Sequence, residues 1–148
     1  MNLEAVLQKM LSRKSDAMWE GSWEILRCNE PEQLTQILPH IPAIEAAMEK
    51  TRMRGTVISH RSSVRLALRY VVERSRGSCR CILYGEESYI SPTQERERGY
   101  LRIKETQIVQ ARQEQQFWIM CNGCGMEFRV VEMIGGHVAR YQWREALP

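Results

Sequence analysis

Apolar residues in the first half of the chain recur every three or four positions. Leu3, Val6, Leu7, Met10 and Leu11 form one such stripe behind Asn2, a residue suited to cap a helix. Residues 16–28, DAMWEGSWEILRC, set Trp19 and Trp23 four apart on one side, but Gly21 is expected to interrupt any long helix there. In NEPEQLTQIL, Asn29 predicts a cap, Pro31 a first turn, and Glu32 the capping partner three residues on. Leu34, Ile37 and Leu38 make the apolar edge of that helix, and Pro39 ends it. Pro42 opens another, with Ile44, Ala47 and Met48 inward and Gly55 as its stop. The clearest pattern is Val64, Ala67, Leu68, Val71 and Val72, capped by Ser59 or Ser62 and ended at Gly77. Leu66 and Tyr70 widen this face until Arg61, Arg65 and Arg69 hold most of what remains. A helix with so little circumference left for water is predicted to lie centrally in a core.

After Gly77 the period shortens to two. CRCILYG places Cys79, Cys81 and Leu83 on one face and Arg80, Ile82 and Tyr84 on the other, which predicts a first strand. Residues 85–99 are polar and charged, hold Pro92, and carry glycine at both ends, which predicts a mobile loop. YLRIKETQIV, QQFWIMC, MEFRVVEM and HVARYQW each fit a strand. Gly135 and Gly136, between the last two, suit a two-residue hairpin turn. The expected fold class is α+β. Residues 1–77 are helical, residues 78–148 form a meander of about five antiparallel strands, and the two are packed as one compact unit.

Five cysteines add chemistry to this outline. Cys79-x-Cys81 and Cys121-x-x-Cys124 are close-spaced pairs, separated by enough chain for a hairpin and its loop. Four thiolates from two such pairs suit tetrahedral Zn²⁺. Gly123 and Gly125 fit a knuckle whose backbone must turn sharply to aim amides at sulfur. A redox pair normally precedes a helix, whereas Cys121 and Cys124 precede an alternating strand. His137, after the glycine pair, is an alternative ligand to one cysteine, and Cys28 is expected to be a small buried apolar residue. Four cysteines leave zinc no open position, so the predicted metal is structural. With no His-Glu-x-x-His, phosphate-cradling glycine loop or His-x-Glu deaminase signature, the chain is expected not to be an enzyme.

CRC and CNGCG, with the strands around them, resemble a zinc ribbon. The helical first half, paired cysteines and the ending Gly135, Gly136, His137, Tyr141, Trp143 are similar in style to small bacterial immunity proteins of interbacterial toxin systems. That resemblance implies a cytoplasmic, non-enzymatic protein that neutralises a cognate toxin domain by binding it. The first sixteen residues lack the features of a signal peptide, and no apolar run reaches the length of a membrane span, which also points to the cytoplasm. Aromatic and arginine residues dominate binding hot spots. The expected protein-binding residues are therefore Tyr84, Tyr89, Tyr141 and Trp143 near the sheet, with Arg61, Arg65 and Arg69 on the helix. Trp118, flanked by Phe117 and Ile119, reads instead as core. Net charge changes this picture only locally. The whole excess of +3 lies in residues 1–77, and residues 50–76 hold eight basic residues against Glu73 alone. Such a patch also admits a nucleic-acid partner for Arg61, Arg65 and Arg69. The neutral second half, and the burial expected of the arginine helix, make that the second reading.

Overall fold

A computed structural model of the chain describes residues 1–56, 58–85, 89–133 and 139–146. The class is α+β, and the backbone divides into two compact units, Met1–Ser78 and Cys79–Pro148.

In the first unit, α1 (Leu3–Leu11) is capped by Asn2, whose side chain accepts a hydrogen bond from the Ala5 amide. Helix α2 (Ser15–Arg27) runs straight through Gly21, contrary to the expected break. A Cβ at Gly21 would lie 2.9 Å from Met10 Sδ and 3.2 Å from Lys9 Cβ. Glycine there costs helix propensity of about 1 kcal/mol but lets α1 pack closely on α2. Helix α3 (Pro31–Thr35) starts one residue later than read: Glu30 is the N-cap and makes no side-chain cap bond. Helix α4 (Ile41–Glu49) stops well before Gly55. Gly55 has φ +106, and a Cβ there would fall 1.9 Å from the Ile58 carbonyl oxygen.

Helix α5 (His60–Ser75) matches the sequence reading. Ser59 caps it, accepting from the Ser62 amide, and Val64, Ala67, Leu68, Tyr70 and Val71 are buried. Helices α2 and α3 pack on α5, and α1 packs on α2 and α4. Cys28 is buried and Tyr70 donates to its carbonyl at 3.0 Å.

In the second unit, β1 (Leu101–Val109), β2 (Glu114–Cys121), β3 (Glu127–Met133) and β4 (Arg140–Glu145) form one antiparallel meander in chain order. The register places Leu101 opposite Cys121, Ile119 opposite Phe128, and Val130 opposite Trp143. These residues share the buried face. A bulge at Lys104 shifts β1 between Ile103 and Glu105. The glycine turn read at 135–136 lies outside the described residues.

Two readings of this half change. CRCILYG is no strand: Arg80–Leu83 is a 3₁₀ turn, closed by the Ile82 amide on the Cys79 carbonyl and the Tyr84 amide on the Cys81 carbonyl. The expected first strand is thus a turn that gathers two cysteines. Residues 85–99, read as a mobile loop, contain α6 (Pro92–Glu97), which packs on β1. Ser91 caps α6 by accepting from the Gln94 amide, and Pro92 supplies the preset φ of a first turn.

Candidate metal centre

Cys79 precedes the 3₁₀ turn and Cys81 lies within it. Cys121 ends β2, and Cys124 sits in the turn that leads to β3. Gly125, at φ +76, reverses the chain so that its amide bonds the Cys121 carbonyl at 2.9 Å, while the Cys121 amide bonds the Met126 carbonyl at 2.8 Å. These turns bring all four sulfurs within 4.8 Å of one another. Across the pairs, Cys79 Sγ lies 3.5 Å from Cys121 Sγ, and Cys81 Sγ lies 3.4 Å from Cys124 Sγ. No disulfide joins them, since all are free thiols at distances well beyond a covalent S–S bond of about 2.05 Å.

A regular tetrahedron with metal–sulfur bonds of about 2.3 Å has sulfurs about 3.8 Å apart, so this cluster is already close to the shape a four-coordinate ion requires. The four cysteines can hold a metal ion. Two further features fit a metal-bound thiolate set. The Cys81 amide points at Cys79 Sγ, and the Gly123 and Cys124 amides point at Cys121 Sγ, so each pair carries backbone donors for negative sulfur. A Cβ at Gly123 would lie 3.0 Å from Cys79 Sγ and 3.7 Å from Cys121 Sγ, so this glycine permits the knuckle to close over the cluster. The thiols also differ in acidity. Burial raises the Cys79 thiol, but the Cys81 amide and the neighbouring thiols outweigh it and bring the group below its ordinary range. Burial and the neighbouring sulfurs push Cys81 and Cys121 up. Four thiols crowded together resist common ionisation; a bound cation would remove that resistance.

Comparison with protein-family models, with curated proteins and with solved structures finds no match for this chain.

Beneath the first thiol pair lies a polar core that the sequence reading missed. Arg80, between Cys79 and Cys81, is 4% exposed and Glu95 is 1% exposed. Arg80 Nε donates to Glu95 Oε2 at 2.7 Å and its Nη2 donates to Oε1 at 2.8 Å. The Tyr84 hydroxyl donates to Glu95 Oε2 at 3.0 Å, and Arg98 Nη1 approaches Oε1 at 3.3 Å. The Arg80 guanidinium also lies over the Tyr100 ring, 4.2 Å from its centroid. Glu95 falls in the stretch expected to be a mobile loop. The signal that could have found its helix, though not its burial, is Ser91-Pro92-x-Gln94, a capping box with proline at its first helical position.

The expected partner-binding residues fare unevenly. Tyr84, Tyr141 and Trp143 are buried and do not offer a contact surface. Tyr84 and Trp143 stack with centroids 4.3 Å apart, Phe128 meets both edge-on, and Trp143 Nε1 donates to the Ile90 carbonyl. Their apolar area is spent on the sheet's own core. Tyr89 is half-buried. Trp118 is half-buried on the face opposite Phe117 and Ile119, with the Arg129 guanidinium 5.5 Å from its ring, so strand alternation takes it out of the core. Arg61 pairs with Glu49 at 2.7 Å. Arg65 and Arg69 are exposed and line a groove of about 470 Å³ along α4 and α5, with Ile41, Met48, Leu68 and Val72. Glu45 and Glu49 line it too. His137 lies outside the described residues.

A second polar cluster joins α2 to α5. Ser15 Oγ lies 2.8 Å from His60 Nδ1, and Asp16 Oδ1 lies 3.7 Å from the same nitrogen. Trp19 stacks on the imidazole at 5.3 Å. A hydrolytic triad requires serine and carboxylate on opposite ring nitrogens. Here both meet Nδ1, and Ser15 Oγ already accepts the Arg54 amide at 2.8 Å, so the cluster pins the α5 N-terminus. No helix among the described residues is long and apolar enough to cross a membrane.

Proposed function

We propose that Cys79, Cys81, Cys121 and Cys124 hold a structural Zn²⁺ and that the chain is a non-enzymatic protein-binding protein, in concrete form an immunity protein that neutralises a bacterial toxin domain. The observation that carries the metal reading is the compact set of four sulfurs with Gly123 against them. Four thiolates satisfy zinc completely and leave no position for a reactive water. The metal then acts through folding: it ties the turn before α6 to the end of β2 in a sheet unit of modest size.

The groove along α4 and α5 supports a protein partner over a nucleic acid. Its apolar residues Ile41, Met48, Leu68 and Val72 suit side chains of another protein. Glu45 and Glu49 stand beside Arg65 and Arg69 and would repel a phosphate backbone. Two measurements test the proposal. Elemental analysis of purified protein should find one zinc per chain, and cobalt substitution should give a tetrathiolate charge-transfer spectrum. Absence of metal, or a spectrum with oxygen or nitrogen ligands, refutes the zinc reading. For the partner, co-expression with the product of the neighbouring gene should protect cells from it. Salt-sensitive oligonucleotide binding with no such protection would favour the nucleic-acid reading.

A further inference from the structure

The chain between the two thiol pairs bonds to a residue enclosed by each of them, Arg80 and Asn122. Toward the first pair, Glu95 receives two hydrogen bonds from Arg80, the residue enclosed by Cys79 and Cys81. Tyr100 adds its ring beneath the same guanidinium. Toward the second pair, the Asn122 amide donates to the Tyr100 carbonyl at 3.0 Å, and Asn122 Nδ2 donates to the Gly99 carbonyl at 2.9 Å. Asn122 directly follows Cys121. The segment itself is closed: Ser91 caps α6, the Gly99 amide bonds the Arg96 carbonyl, and the Tyr100 amide bonds the Glu95 carbonyl. Glu95 therefore stands where α6, its C-terminal turn and the Cys79–Cys81 turn meet.

We infer that Ser91–Tyr100 braces both halves of the metal centre before metal arrives, with Glu95 as the positioning residue. The inference rests on the zinc reading and adds to it a cause for the cluster's shape.

The physical reason is directional. A 3₁₀ turn of four residues has too few internal bonds to hold two sulfurs in a fixed relation. A two-point bond from a rigid guanidinium to a buried carboxylate fixes both the position and the plane of the residue between those sulfurs. A buried ion pair is a poor source of net stability against an apolar pair of similar volume, so a positioning role accounts for this one better than a stabilising role. The Tyr84 hydroxyl and Arg98 occupy the remaining acceptor capacity of Glu95 and hold its carboxylate in that orientation. On the other side, both Asn122 bonds fix the start of the Cys121–Cys124 turn. Partners of this kind outside the ligand set typically change metal affinity by about 10–100-fold.

The test uses the full chain, stripped of metal and titrated with Co²⁺ in competition with a chelator. Glu95→Gln should weaken Co²⁺ binding by about 10–100-fold. Phe117→Leu, in the sheet core away from the cysteines, serves as the control for general loosening and should weaken it far less. A second readout separates positioning from stability. In the metal-free protein, maleimide labelling resolved by mass spectrometry should show Cys79 and Cys81 reacting faster relative to Cys121 in Glu95→Gln, and an unchanged ratio in Phe117→Leu. If Glu95→Gln fails to form the sheet, Tyr84→Phe carries the test, because it removes one bond to Glu95 and keeps the ring stack. It should shift affinity and labelling ratio in the same direction by a smaller factor. Wild-type affinity and labelling in the folded variant overturn the inference, as do changes no larger than those of the control. If the wild-type chain takes up no metal, the zinc reading falls, while the labelling ratio still decides whether Glu95 holds the first thiol pair.

Discussion

Gly123 and Tyr84 show how single residues shape the second unit. A methyl at position 123 would press on Cys79 Sγ from 3.0 Å, and the sulfur cannot retreat without leaving the cluster. Gly123→Ala is expected to weaken metal binding by about tenfold, the low end of effects from groups next to ligands. Gly85→Ala, where an added Cβ meets nothing within 4 Å, should leave it unchanged; chelator competition measures both. Tyr84 is held protonated, chiefly by burial and then by the Glu95 carboxylate, so its folded-state pKa lies above the ordinary value of about 10. The sign follows directly. The neutral phenol contributes in full below the unfolded value, and that contribution is lost as pH rises above about 10, because the unfolded chain releases the proton first. Base unfolding of the sheet unit should therefore steepen above that pH and be less steep in Tyr84→Phe, followed by near-ultraviolet dichroism. At this scale the four cysteines were legible, since ligand chemistry lies in residue type and spacing. Arg80 and Glu95 were not: in a polar stretch, nothing in either residue announces that the other will bury it.

Among the elements, α5 was read well because cap and stripe agree. Ser59→Ala removes the bond to the Ser62 amide and should cost about 1 kcal/mol. For a unit of this size that is a fall in melting temperature of about 4–8 °C. Ser62→Ala, which removes no cap, should cost much less. Thermal unfolding followed by helical dichroism distinguishes them. Helix α2 was misjudged at Gly21 because propensity scores a glycine by its own backbone and ignores the neighbour it admits. Gly21→Val should destabilise the helical unit by the overlap with Met10 and Lys9, opposite to what propensity alone predicts. The CRCILYG segment was read as a strand because alternation over seven residues does not distinguish a strand from a turn with unevenly buried side chains. Its Arg80 is buried, Ile82 is half-buried, and Leu83 and Tyr84, adjacent in sequence, are both buried. That order breaks period two.

At the scale of the whole molecule, the four-cysteine cluster that can hold a metal lies entirely within residues 79–148, and the helical unit has its own buried residues. Removing metal with a chelator should therefore abolish amide protection in residues 79–148 and leave that of α1, α2 and α5 largely in place, measured by hydrogen exchange. Cys121→Ser should reproduce the pattern without chelator; equal protection with and without metal would remove the staple from the account. The sequence by itself determined the class, the order of helices before strands, four of the five expected strand segments and the two thiol pairs. Each of these depends on local periodicity or on the chemistry of a residue type. Tertiary structure alone decided that Tyr84, Tyr141 and Trp143 lie in the core, that Gly21 stays inside a helix, and that Glu95 is buried against Arg80. Those outcomes depend on which surface meets which, and burial is a property of the meeting rather than of the residue.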